Sequence, residues 1–169
     1  PDLQRRSSCP CDATCDRQFV AACRREGGDN KGANLGADTC VSGTVAAARE
    51  ASLFGCPAIA LSQHLRKFKQ PFDWSKTVRM AKNTLPQILE QPFPHGRWIN
   101  INFPDVNPCD HDTVQLVETE LDPAPLPAQY TKLADGSLLY CGVYNDRPRK
   151  RNHDADVCFS GNIAVTFHD

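Results

Sequence analysis

Two spacings of apolar residues take turns along this chain. From Val41 onward, Val45, Ala48 and Leu53 fall near one helical face, Ala46 and Ala47 add helix propensity, and Gly55 with Pro57 ends the run. Pro57-Ala58-Ile59-Ala60-Leu61-Ser62 then reads as a short buried strand of a parallel sheet. Trp74, Val78, Ala81, Leu85 and Ile88 return to helical spacing and predict a helix from Asp73 to about Gln91, which Pro86 should kink or shorten. Ile99, Ile101 and Phe103 alternate with Asn100 and Asn102, predicting a strand that ends at Pro104 with both asparagines on its less buried face, outside any site.

After Asp105 the pattern changes. Val114 to Glu118 reads as a further strand, a proline-rich connection follows from Asp122 to Pro127, and Asp135-Gly136 between Tyr130–Leu133 and Leu138–Tyr140 is a hairpin signal. The expected class is therefore α/β in the first part, with antiparallel β structure later. Repeats and low-complexity tracts are absent.

Composition narrows the class without fixing a function. A chain of 169 residues with net charge −1 can bury one domain's core and does not read as a general nucleic-acid or membrane-surface binder. It has no apolar run long enough to span a bilayer and no recognisable signal peptide, so a cytoplasmic setting is expected. Of nine cysteines, Cys9, Cys11, Cys15 and Cys23 crowd the opening in a spacing that matches no paired zinc knuckle. Cys40, Cys56, Cys109, Cys141 and Cys158 are scattered and read as small buried hydrophobes in a reducing cell.

The candidate chemistry lies where the first helix begins. Gly28-Asp29-Asn30-Lys31-Gly32-Ala33-Asn34-Leu35-Gly36 leads into Ser42-Gly43-Thr44, placing short polar side chains and permissive glycines before an Ala-rich helix. Unpartnered N–H groups and the macrodipole at such a start can hold a phosphate, and an asparagine oxygen can ligate a hard cation. The same residues also suit a plain helix cap and an ordinary turn, and both readings stay open on local sequence. Ser42 has no neighbouring base placed to make it a nucleophile. The basic run Arg147-Pro148-Arg149-Lys150-Arg151 reads as a solvated loop, with approach to a substrate phosphate as the alternative, and His153 is at most a proton donor to a leaving group.

The run GDNKGANLGADTCVSGTVAAAREASLFGCPAIALS from Gly28 to Ser62 resembles the central segment of the SurE family of metal-dependent nucleotidases. FDW at Phe72 to Trp74, WININFPD from Trp98 to Asp105 and HDADVCFSGNIAVT from His153 to Thr166 continue the resemblance in order. It implies a three-layer, Rossmann-like sheet with a C-terminal antiparallel β extension, and phosphate removal from nucleoside 5′- or 3′-monophosphates, in some members from polyphosphate. A divalent ion, Mg or Mn, is implied as cofactor, with Asn30 as a metal ligand. Asn34, Ser42, Gly43 and Thr44 are implied beside the phosphate, the last three as the catalytic turn. An arm at about residues 112–152 is implied to reach a second subunit in a homodimer or homotetramer, and neither a nucleic-acid polymer nor a membrane is expected as partner.

One departure stands beside these matches. Family members open with paired aspartates in an Asp-Asp-Gly motif that occurs nowhere here, and Pro1 to Gly27 aligns with nothing in the family. The expectation is a sheet truncated in its N-terminal half. Residues 28–169 would form the SurE-like domain behind an aberrant or disordered Cys-rich segment, and the nucleotidase would be impaired for want of metal-binding carboxylates. A non-catalytic phosphate-binding or oligomerising module, or an inactive fragment, is the alternative.

Overall fold

The computed structural model describes residues 32–66, 74–90, 96–107 and 113–169, together with the backbone of a strand at Val20–Cys23. In chain order the described elements are β1 (Val20–Cys23), α1 (Gly43–Leu53), β2 (Ala58–Gln63), α2 (Ser75–Leu89), β3 (Trp98–Phe103), β4 (Leu116–Glu118), β5 (Tyr130–Lys132), β6 (Leu138–Tyr140), α3 (Asp154–Phe159) and β7 (Ile163–His168). Short 3-10 turns occupy Gly36–Cys40 and Tyr144–Asp146.

Five strands form one sheet in the order β1-β2-β3-β7-β4. The first three are parallel, with Ser62 of β2 opposite Asn102 of β3. β7 runs antiparallel to β3 and pairs Thr166 with Asn100, and β4 lies parallel to β7. β5 and β6 make a separate antiparallel hairpin, as the Asp135-Gly136 turn predicts.

Side chains alternate across a strand, so each face of the sheet collects its own core. Ile59, Ile99, Ile101, Phe103, Ile163 and Val165 meet Met80 and Ile88 of α2 on one face. On the other, Ala58, Ala60 and Trp98 meet Val45 and Ala48 of α1, while Ala164 meets Leu35 and the apolar residues of α3. The alanines of β2 let α1 close on the sheet. The result is three layers, helix against sheet against helix, as α/β patterning requires.

Four expectations need correction. α1 buries Val45, Ala48 and Ser52, so Leu53, one residue further round the helix, is 70% exposed. α2 buries Met80, Thr84 and Ile88 while Val78 stays exposed, and it ends at Leu89, within a turn of the exposed Pro86 and short of the expected Gln91. β3 is buried along its whole length, Asn100 and Asn102 included, because both faces of the sheet are covered. Among the scattered cysteines in the described residues only Cys158 is buried; Cys40 and Cys141 are exposed and Cys56 is intermediate. Cys109 lies outside the described residues. No described helix is long and apolar enough to cross a membrane.

Candidate phosphate site at the carboxyl edge of the sheet

A helix that leads into a parallel strand starts at the carboxyl end of the neighbouring strands, the edge where open α/β sheets take ligands. The first turn of α1 therefore sits over that edge, and the loop from Gly32 to Gly36 crosses it. Gly32 has φ +81°, and a Cβ there would collide with the Gln63 carbonyl at the end of β2. Gly36 has φ +52°, and its Cβ would lie 2.5 Å from the Asp122 carbonyl. Both glycines of the loop are thus required twice, for conformation and for room.

Asn34 lies between them and is buried. Its backbone N–H donates to Asn102 Oδ1 at 2.8 Å, and its Nδ2 donates to Ser62 Oγ at 2.5 Å. Its carbonyl accepts from Asn100 Nδ2 at 2.9 Å and Asn102 Nδ2 at 3.1 Å. Three polar side chains of β2 and β3 thereby pin the loop to the sheet. Sequence reasoning missed all three. Their signal was polarity inside an otherwise apolar strand, where burial obliges each amide to find a partner.

At the start of α1, Ser42 is buried and its Oγ accepts the Val45 N–H at 3.2 Å, so the cap reading of Ser42 holds. The helical ladder begins with Ala46 N–H donating to the Ser42 carbonyl. The N–H groups of Gly43 and Thr44 come before that ladder and have no acceptor within the helix. Gly43 is exposed, and a Cβ added to it would meet nothing within 4 Å. Open space at Gly43 thus coincides with a turn whose first N–H groups lack a helical acceptor, while Thr44 beside it is buried.

A buried acidic network holds the loop from behind. Asp154, fully buried, accepts the N–H groups of Gly36 at 2.7 Å, Asp122 at 2.7 Å and Ala155 at 2.8 Å. Burial raises its carboxyl above the usual range, against the pull of those three donors. Asp122 in turn accepts the N–H groups of Ala124 and Lys150. Asp38 accepts the Tyr144 hydroxyl at 2.6 Å and Arg147 Nη1 at 2.9 Å. Burial first, then the Asp38 carboxylate, push the Tyr144 phenol well up, so it stays a donor.

Arg147 corrects the solvated-loop reading of the basic run: its side chain is fully buried against Asp38. Arg149 stacks its guanidinium over Phe159, 5.1 Å from the ring centre. His153 precedes α3 and faces Arg151 and Glu120. Of the residues predicted for the site, Asn34, Ser42, Gly43 and Thr44 lie along this one edge. Asn30 lies outside the described residues. Among the described residues no group of three or more His, Cys, Asp or Glu side chains is arranged to hold a metal.

Comparison with known proteins gives a family and a shared fold. The family model described as survival protein SurE matches residues 27–122. The Nostoc sp. (strain PCC 7120) protein named "Putative 5'-nucleotidase alr3139" is 41% identical over 139 residues, covering 82% of this chain and 60% of that protein. A "5'-nucleotidase SurE" from Paramagnetospirillum magneticum is 46% identical over 79 residues, 47% of this chain and 30% of its own length. The solved SurE protein from Aquifex aeolicus shares the fold, with a TM-score of 0.63 at 19% identity over 89% of this chain and 58% of that one. The chain spans about 60% of the length of the first of these relatives.

Proposed function

We propose that this chain, which belongs to the survival protein SurE family, acts in the hydrolysis of nucleoside monophosphates to nucleoside and phosphate. The observation that carries the reading is the start of α1, where the open face of Gly43 adjoins two N–H groups with no helical acceptor. A phosphoryl group seated there accepts hydrogen bonds from the N–H groups of Gly43 and Thr44. The missing Cβ at Gly43 lets the group close on the backbone, and the helix dipole favours its charge. Charge that builds on the equatorial oxygens in phosphoryl transfer meets donors already in place, which lowers the barrier without a covalent nucleophile. Asn34 serves this site by fixing the loop, since its own side chain is engaged by Ser62.

The family implies a Mg or Mn ion. The described residues do not fit one: among them no group of three or more His, Cys, Asp or Glu side chains is arranged to hold a metal, Asp122 and Asp154 give both carboxylate oxygens to backbone N–H groups, and Asp38 gives Oδ2 to Tyr144 and Arg147. Asn30 is proposed as a ligand on the family resemblance alone. Residues 28–169 are proposed as one SurE-like unit whose arm at about 112–152 joins a homodimer or homotetramer.

The test uses Gly43→Ala. Alanine has room there and raises helix propensity, so thermal stability is expected to hold or rise by up to about 1 kcal/mol. Phosphate release from nucleoside monophosphates in Mn or Mg buffer, and binding of inorganic phosphate, should both fall at least tenfold. Full retention of both would remove the start of α1 from the site. Binding of phosphate without release by the unaltered chain would identify a binding module instead.

A further inference from the structure

The residues that follow the hairpin return to the body of the molecule at one place. Tyr144 donates to Asp38, Asn145 Oδ1 lies 2.9 Å from Nε2 of His64 just past β2, and Arg147 bonds both Asp38 and the Leu35 carbonyl. Leu35 and Asp38 flank Gly36, inside the segment that joins Asn34 to the start of α1. A Cβ on Gly36 would lie 3.0 Å from Arg147 Nη2, so guanidinium and loop backbone are in direct contact.

Stability alone is a poor reason for this arrangement. A guanidinium taken out of water loses hydration that a single ion pair seldom restores, and a well-packed apolar side chain often does as well. Here Arg147 Nε is buried with no partner, which adds to that cost. What the guanidinium supplies that an apolar group cannot is direction: it fixes a carbonyl on one side of Gly36 and a carboxylate on the other.

We infer that Tyr144 and Arg147 are positioning residues for the phosphate loop, holding Leu35 and Asp38 so that Asn34 and the first turn of α1 keep their spacing. This rests on reading Asn34 to Thr44 as the phosphate site. It makes the order of that site depend on how the foot of the hairpin arm is seated.

Amide hydrogen exchange on the full chain tests it, comparing peptides that cover residues 32–42 with peptides from β3 and β7. In the unaltered protein the amides of Asn34, Gly36, Asp38 and Val41 have acceptors and should exchange slowly. Arg147→Met should speed exchange in 32–42 by about tenfold or more with β3 and β7 unchanged, and Tyr144→Phe should do so to a smaller extent in the same peptides. Arg147→Lys, which keeps the charge on Asp38 but loses the fork that also reaches the Leu35 carbonyl, should bring exchange only part of the way back, to a rate between those of the methionine variant and the unaltered protein.

Unchanged loop exchange, an equal rise across the sheet, or a lysine variant no better than methionine would each overturn the inference. Should Arg147→Met fail to fold, Tyr144→Phe decides alone on the same criterion. Failure of the phosphate reading shows differently, as an unaltered chain that does not bind inorganic phosphate while the exchange pattern stands.

Discussion

The candidate phosphate loop and the hairpin are both built on glycines with positive φ, yet they are specified in opposite ways. Gly36, at φ +52°, is enclosed by the Asp122 carbonyl and Arg147, and its N–H is claimed by Asp154. Gly136, at φ +85°, turns the hairpin with nothing within 4 Å of its missing side chain. All six residues of β5 and β6 are exposed, whereas Asn34 and Leu35 beside Gly36 are buried. The loop is determined by tertiary contacts, the hairpin by its turn. A local signal was therefore enough to find the hairpin in the sequence, and not enough to explain the loop.

The largest expected effect comes from placing alanine at each glycine. At Gly36 the left-handed strain of about 1–2 kcal/mol adds to an overpacking cost of about 1–3 kcal/mol, giving a loss of about 2–5 kcal/mol in denaturant unfolding. At Gly136 only the strain remains, about 1–2 kcal/mol, and most of it should be confined to the hairpin. Equal losses at the two positions would mean that the packing around Gly36 gives way easily, and the contrast would be lost.

The same contrast explains what the sequence revealed. β2, β3, the hairpin and the start of α1 follow from periodicity and turn chemistry, because each is decided within a few residues. The candidate residues Asn34, Ser42, Gly43 and Thr44 were legible because glycine spacing and the family pattern mark them. Asn100, Asn102 and Ser62 were missed because their importance lies in partners 28–68 residues away. Arg147 was misread for the same reason: in a run of basic residues nothing local says that one of them is matched to Asp38, 109 positions earlier. Val78 and Leu53 were misplaced by one residue of helical rotation, which only packing against the sheet decides.

A smaller effect should appear with pH. His64 is buried, stacks on Phe159 at 4.5 Å, bonds Asn145 through Nε2, and leaves Nδ1 without a partner. Burial lowers its pKa below 6.5, opposed by the Asn145 bond and by Asp105 and assisted by Arg66 and Arg149. The folded state then binds fewer protons than the unfolded state. Its contribution is fully present above the unfolded value and is lost as pH falls through that value toward the lower folded one. His168, whose pKa burial also lowers, adds a parallel loss at the far end of β7. Thermal stability should decline from pH 7.5 to 5.5, and His64→Gln should flatten that decline while speeding exchange near Asn145 but not in the hairpin. An unaltered slope in the variant would assign the pH dependence to His168 and other groups.

The smallest effect on the isolated fold, and the one that says most about the hairpin, is expected from Leu138→Ser with Leu139→Ser. These leucines are 67% and 54% exposed, and they point to opposite faces of a two-stranded ribbon. Tyr130 and Tyr140 meet edge to face across the strands at 5.4 Å, but neither face rests on a core. Such a ribbon gains little by itself in water. Replacing both leucines should therefore change monomer stability by no more than about 0.5 kcal/mol. If the arm joins subunits as proposed, the same pair of serines should lower the mass measured by light scattering at a fixed protein concentration. An apolar ribbon that costs nothing in the monomer and shifts assembly has its partner in another chain. A pair of serines that destabilises the monomer by several kcal/mol would instead place that partner within the same subunit.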